Sequence, residues 1–255
     1  MKSRKSYFDA YENFAVSRSE GGVLTVRFHT NDKEHTFTGT THHDFPHLIE
    51  DIAYDRDNKV LVLTGTGSTF IDAIDGPSLG DFTKPWEADK AYLEGRRGIQ
   101  RLVDIEMPIV AAVNGPVSVH SEYALLADVI VASDTAVFSD FPHLGAGIAP
   151  GDGLVVVWEE VLGLNRARFL ELTRGAFTAQ EALAWGAVGE VVPQQQVLAR
   201  AQELAEQMTA TPQLTNRYVA MIFRQRISRR LNEGMLLGMA LESLSAANLP
   251  YVGQG

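Results

Sequence analysis

The chain has 255 residues, 45% of them hydrophobic, which is enough for one large domain or a domain with a small appendage. Its formal charge is −10, from 22 basic and 32 acidic residues, and this argues against a nucleic-acid or anionic-membrane partner. The absence of cysteine excludes disulfides, thiolate metal sites and cysteine nucleophiles. No run approaches the roughly 20 apolar residues of a membrane span, and the basic start MKSRKSYFDAYENFAV lacks the apolar core of a signal peptide. The expectation is a cytoplasmic protein.

Residues 14–18 and 23–29 are short alternating runs joined by SEGG, a hairpin signal. In 42–55, Phe45, Leu48, Ile49 and Ile52 have helical spacing, with Thr40 or Thr41 as the cap. KVLVLTGTG (59–67) is a wholly apolar strand ending in glycines, as expected of a parallel strand covered on both faces. Residues 87–104 read as a helix. MPIVAAVNG (107–115) and DVIVAS (128–133) are two more buried strands. From 152 onward helical signals dominate, apart from the strand-like AVGEVV (187–192). Thr178 and Glu181 form a capping box, and Gly186 suits the left-handed stop of that helix. Strands alternating with helices, then a helical last third, argue for an α/β fold with a helical tail. FRQRISRR (223–230) reads as a solvated helix face or a contact with another subunit.

Five segments in order, KVLVLTGTGSTF, MPIVAAVNGPV, LLADVIVASDTAVFSD, LGAGIAPGDG and TAQEALAWGAVGEVVP, resemble the crotonase (enoyl-CoA hydratase/isomerase) superfamily. The resemblance implies a spiral of ββα turns over residues 1–195. It also implies a C-terminal helical region over 196–255 that assembles homotrimers or dimers of trimers. The family's oxyanion hole uses two backbone N–H groups in glycine-containing loops. Here the first loop reads Phe70-Ile71-Asp72-Ala73-Ile74-Asp75 and the second Asn114-Gly115-Pro116-Val117-Ser118-Val119-His120-Ser121, so both characteristic glycine patterns are lost. Glycine matters there because backbone must approach a carbonyl closely.

VNGPVSVHSE followed by FSDFPHLGAGIAPGDG resembles one branch, the carbon–carbon bond hydrolases of the 6-oxocamphor hydrolase type. These cleave cyclic β-diketones by a retro-Claisen reaction without CoA. The resemblance implies a histidine at the oxyanion position, His120, and a His–Asp pair, His143 and Asp152. It also implies a histidine on the early helix, His42, and a glutamate on the C-terminal helix, Glu242. Phe37 stands where the camphor-type enzyme has tryptophan, and Phe37, Phe70 and Phe141 are expected to bind substrate. The roles that follow are His143 as general base oriented by Asp152, and His120 as donor to the enolate oxygen. Glu242 and His42 either orient water and substrate or relay the proton. No metal or cofactor is expected, since the histidines lack a ligand spacing.

Each residue also has a plainer reading: His120 as a helix-start residue, His143 as a turn residue, Asp152 as a cap, Glu242 as a solvated or interface carboxylate. Two other functions compete with the hydrolase: an acyl-CoA hydratase or isomerase on the same fold, and a non-catalytic scaffold.

Overall fold

An antiparallel hairpin opens the structure, β1 (Phe14–Arg18) against β2 (Val23–Phe28), with Phe14 opposite Phe28 and Arg18 opposite Leu24. The structure, a computed structural model, describes residues 6–249. The basic first five residues and the last six of the expected helical region lie outside it. After the short strand β3 (Thr36–Phe37) comes helix α1 (Gly39–Tyr54). Its cap is Thr38, whose hydroxyl accepts from the Thr41 N–H, two to three residues before the cap expected from sequence. The helix therefore gains a turn, and His42 falls in its first turn.

Strand β4 (Val60–Thr64) follows, then the two-residue β5 (Ala73–Ile74), the long helix α2 (Pro85–Asp104) and strand β6 (Ile109–Val113). Beyond the five-residue helix α3 (Ser121–Leu125) lie β7 (Val129–Ser133) and β8 (Val137–Ser139). The helices α4 (Phe141–Ala146), α5 (Leu154–Leu162) and α6 (Leu164–Thr173) lead to β9 (Ala176–Thr178). The capped helix α7 (Ala179–Trp185) has the capping box read from the sequence, and Gly186 closes it with φ +78°. Strand β10 (Glu190–Val192) and helices α8 (Val197–Thr209) and α9 (Gln213–Asn248) complete the order.

The main sheet runs β1-β2-β4-β6-β7-β10, parallel from β2 onward. Every residue of β4 and β6 is buried. Alternation splits them between two layers. Leu61, Leu63, Ile109, Ala111 and Val113 join the large core. Val60, Val62, Val110 and Ala112 face the other way, under Val197, Ala201 and Ala205 of α8. Helix α8, placed by sequence in the C-terminal helical region, thus covers one face of the sheet. Each fully buried Val, Leu or Ile is worth roughly 1.5–3 kcal/mol, so this two-sided burial holds the strand ends that carry the site.

Two small sheets sit beyond those ends, β3 with β5 and β8 with β9. Asn114, just after β6, ties the neighbouring loop down. Its amide donates to the Gly67 and Thr69 carbonyls at 3.0 and 2.8 Å, and its oxygen accepts from Gly65 at 3.0 Å. Gly115 is pressed against the Ser68 carbonyl so closely that a Cβ would lie 1.7 Å from it. Helix α9 is anchored by Arg224, which is buried rather than on the solvated face expected of FRQRISRR. Its guanidinium donates to the Met107 carbonyl at 2.6 Å and pairs with Asp128 at 3.2 Å. Arg226 and Arg230 pair with Glu160, and Arg230 also with Glu159, so most of this cluster has intrachain work.

Candidate active site

A cavity of about 600 Å³ opens beyond the C-terminal ends of the parallel strands. His42, His120, His143, Asp152 and Glu242 all line it, from five separate segments of the chain. Apolar side chains make up much of the rest, among them Ile74, Leu79, Tyr92, Val119 and Met239.

His120 follows the β6 loop and caps α3 with φ +50°, ψ +48°. That is the left-handed region, which glycine enters freely and other residues at a cost of about 1 kcal/mol or more. The chain keeps this backbone while placing an imidazole on it. Three contacts hold the ring. Its Nδ1 bonds Glu122 Oε1 at 2.6 Å. The ring stacks on Tyr123 at 4.7 Å and 7°, and Phe37 packs against it at 4.4 Å. Asp152 Oδ2 lies 3.5 Å from the same nitrogen.

His143 lies in α4, and its Nδ1 bonds Asp140 Oδ1 at 2.7 Å. Its Nε2 faces Asp152 Oδ2 at 3.5 Å and Glu242 Oε1 at 4.0 Å. The carboxylate that orients this ring is therefore Asp140, not the Asp152 expected from sequence. Asp152 instead sits between two imidazoles, its other oxygen accepting from the Leu154 N–H at 3.3 Å. Glu242 is brought in by a close crossing: a Cβ on Gly151 would lie 2.1 Å from the Gly238 carbonyl of α9. The Gly151 N–H then reaches Glu242 Oε2 at 3.2 Å. His42 Nδ1 contacts Glu94 Oε2 at 3.2 Å, while His43 Nδ1 takes Glu94 Oε1 at 2.7 Å.

Of the three aromatic residues expected to bind substrate, only Phe141 lines the cavity, and it is 69% exposed. Phe37 is fully buried and acts on the cavity through the His120 ring it backs. Phe70 is also fully buried, against Phe28 in the core, because its strand-end loop turns it inward.

The electrostatics follow from burial and from how many carboxylates each ring meets. Burial lowers the pKa of His143, but Asp152, Asp140 and Glu242 outweigh it and hold the ring's pKa well above the usual value. For His120 burial is likewise outweighed, by Glu122 and Asp152, and its pKa is raised. His42 goes the other way: burial dominates, the His120 charge adds to it, and the pKa is lowered despite Glu94. Glu242 is pushed up to about 7 by burial and the Asp152 charge. Burial opposes the ionised form of Asp152, yet the two imidazoles keep its pKa low.

Sequence reasoning missed Glu122, Asp140 and Glu94. The first two had a local signal, His120-x-Glu122 and Asp140-x-x-His143, each a carboxylate one turn or less from a histidine. Glu94 lies 52 residues from His42 and had none. The fold also makes a grouping that spacing did not suggest. Ligand atoms of His120, Glu122 and Asp152 lie within 4.8 Å of one another, the one such group among the described residues. A cation held by these three would compete with the His120 proton. No helix among the described residues is long and apolar enough to cross a membrane.

One similar solved structure is a β-diketone hydrolase from the cyanobacterium Anabaena sp., bound to (S)-3-oxocyclohexyl acetic acid. It is 46% identical, with a TM-score of 0.95 over 97% of this chain and 99% of that one. A short-chain-enoyl-CoA hydratase of Clostridium acetobutylicum is 28% identical over 234 residues, 91% of this chain and 87% of its own. An enoyl-CoA hydratase/isomerase structure from Mycobacterium paratuberculosis shares the fold at 23% identity, covering 94% and 95% of the two chains with a TM-score of 0.83. The enoyl-CoA hydratase/isomerase family profile matches residues 18–244, and the chain belongs to that family.

Proposed function

We propose that the protein hydrolyses a carbon–carbon bond of a cyclic β-diketone by a retro-Claisen reaction, giving a keto acid without CoA. The observation that carries this reading is the convergence of three imidazoles and two acids on one mostly apolar cavity, with His120 at the position where the resemblance gives thioester enzymes a backbone donor. The 46% identity to the Anabaena β-diketone hydrolase supports it. So does the absence of lysine or arginine among the described lining residues, since a phosphate-bearing substrate would seek cations.

His143 first passes the proton it shares with Glu242, 4.0 Å from its Nε2, to that carboxylate, and the neutral ring, oriented by Asp140, then takes a proton from water as the water oxygen bonds to one carbonyl carbon. The tetrahedral adduct collapses and the bond to the bridging carbon breaks. The electron pair moves onto that carbon as an enolate, whose oxygen is held by the charged His120 ring. Glu242, poised near neutrality, delivers the proton to carbon. Water and diketone become keto acid, with no other reactant. Asp152 holds the two imidazoles in charge balance, and neutral His42 donates or accepts a hydrogen bond to substrate.

Exposed apolar side chains on α9, including Ile222, Phe223, Leu237 and Leu244, supply surface for the homotrimer or dimer of trimers proposed with this reading. Light scattering on purified protein tests that assembly. The activity is tested on a panel of 2,2-disubstituted cyclic 1,3-diketones, with crotonyl-CoA as the competing substrate. Ring opening without CoA is the expected result. Thioester hydration with every diketone untouched would overturn the reading in favour of a hydratase or isomerase.

A further inference from the structure

The chemistry above leaves one buried acid unused. Glu171 stands in the last turn of α6, 8% exposed, and neither of its carboxylate oxygens has a hydrogen-bond partner among the described residues. Helix α6 ends at Arg174, which is left-handed with φ +54°, and the Gly175 N–H closes back on the Leu170 carbonyl at 2.7 Å. The chain then enters β9, whose Ala176 pairs with Ser139 of β8. Asp140 is the next residue after Ser139, so this register lays the end of α6 beside it. Asp140 gives Oδ1 to His143, and its Oδ2 is buried and unpartnered as well.

Two buried carboxylates on neighbouring segments, each with an orphaned oxygen and one feeling the other's charge, cannot both stay ionised cheaply. One proton resolves both: a carboxylic acid is a donor and a carboxylate an acceptor. Asp140 is already the acceptor for the His143 ring through Oδ1, which leaves the proton to Glu171. Burial first, and then the Asp140 charge, push Glu171 up to about 8. Glu171 also senses His143, Asp152 and Glu122, while His143 meets Asp152, Asp140 and Glu242. His120 lies across Asp152 from the dyad.

We propose that Glu171 is a protonated positioning residue whose carboxyl O–H donates to Asp140 Oδ2, directly or across one bridging water, and so fixes the Asp140–His143 dyad. Its bearing on turnover rests on His143 being the base proposed above; its effect on the charge of that ring does not.

The test is an NMR titration of the histidine rings in the full-length protein and its variants, which needs no substrate. E171Q keeps a donor without adding charge, and the His143 pKa stays where it is in the wild type. E171L removes the donor, concentrates charge on Asp140, and raises the His143 pKa by about one unit. Should E171L fail to fold, E171M serves the same purpose. Infrared difference spectra of wild type against E171Q read the proton itself, as a carboxylic-acid band present only in the wild type. A fall in the His143 pKa in E171Q would mean that Glu171 is ionised and would overturn the proposal. An unchanged pKa in the folded Leu or Met variant, or a missing acid band, would do the same. Diketone turnover is followed separately: with the titration as expected, kcat in E171L drops at constant KM if His143 is the base. An unchanged kcat would then count against the base assignment and not against the Glu171 contact.

Discussion

His42 and His143 are the same ring at similar depth in one cavity, yet they are pushed in opposite directions. Burial is the largest influence on both and favours the neutral ring. His42 bonds one carboxylate, Glu94, which also serves His43 and Lys90, and feels Asp152 only as its weakest influence, so burial prevails. His143 meets Asp140, Asp152 and Glu242, and the carboxylates prevail. The count of facing carboxylates therefore sets the proton inventory, and the two sides of the cavity have different work: a neutral ring for hydrogen bonding on one, a proton-holding ring on the other.

The largest effect is expected at the charged side. H143N should lower kcat on a cyclic diketone by about 100- to 10,000-fold, the usual worth of positioned acid–base catalysis, while H42N costs less. Equal losses in the two variants, measured by steady-state kinetics, would remove the distinction drawn here. Replacing His120 by Ala takes away the enolate donor and should cost about 100- to 1,000-fold in kcat. Circular dichroism of that variant separates lost chemistry from the consequences of leaving Glu122 buried without its partner.

A subtler expectation concerns pH. Below about 7 Glu242 and His143 are both protonated and no base is present. Above the raised value of His143 both have lost their protons and no acid remains. Between these limits the two groups, 4.0 Å apart, share one proton, and kcat/KM should peak there. The two limbs belong to the pair and not to either residue. In E242Q the falling limb should vanish and the rising limb should follow His143 alone, at a lower pH than the wild-type falling limb because a facing charge is gone. An unchanged bell in E242Q would sink the pairing.

Much of the fold could be read from residue patterns because the signals were local. The hairpin, the apolar strands 60–64 and 109–113 and the capping box at Thr178 each declare themselves within a short local stretch of chain. The five residues expected in the site do share one cavity, but their partners were harder to see. Asp140 was passed over for Asp152 because resemblance pointed to the PGDG segment, while the rigid choice is made by the α4 turn that sets Asp140 against His143 Nδ1. Phe37 is expected in the pocket because it stands where the camphor-type enzyme has tryptophan, and Phe70 because it opens the first oxyanion loop. Which way an aromatic ring at a loop edge turns depends on the core behind it, here Phe28 and the His120 ring, and no periodicity encodes that.

The smallest effect belongs to the neutral side. In E94Q the His42 pKa should fall further, because the carboxylate hydrogen-bonded to it is lost, and turnover should change less than in any histidine variant. Glu94 offers a second readout. Burial opposes its ionised form, but the His42 and His43 hydrogen bonds bring its pKa down to about 2. A depressed carboxylate stabilises the fold above its unfolded pKa and ceases to do so as pH falls through its folded one. The stability gap between wild type and E94Q should therefore be full above the ordinary carboxylate value of about 4.3 and close as pH drops toward about 2. Urea midpoints of both proteins across that range measure the gap. A gap that is constant with pH would mean that Glu94 acts through packing alone, and the contrast between the two histidines would then rest on burial rather than on charge count.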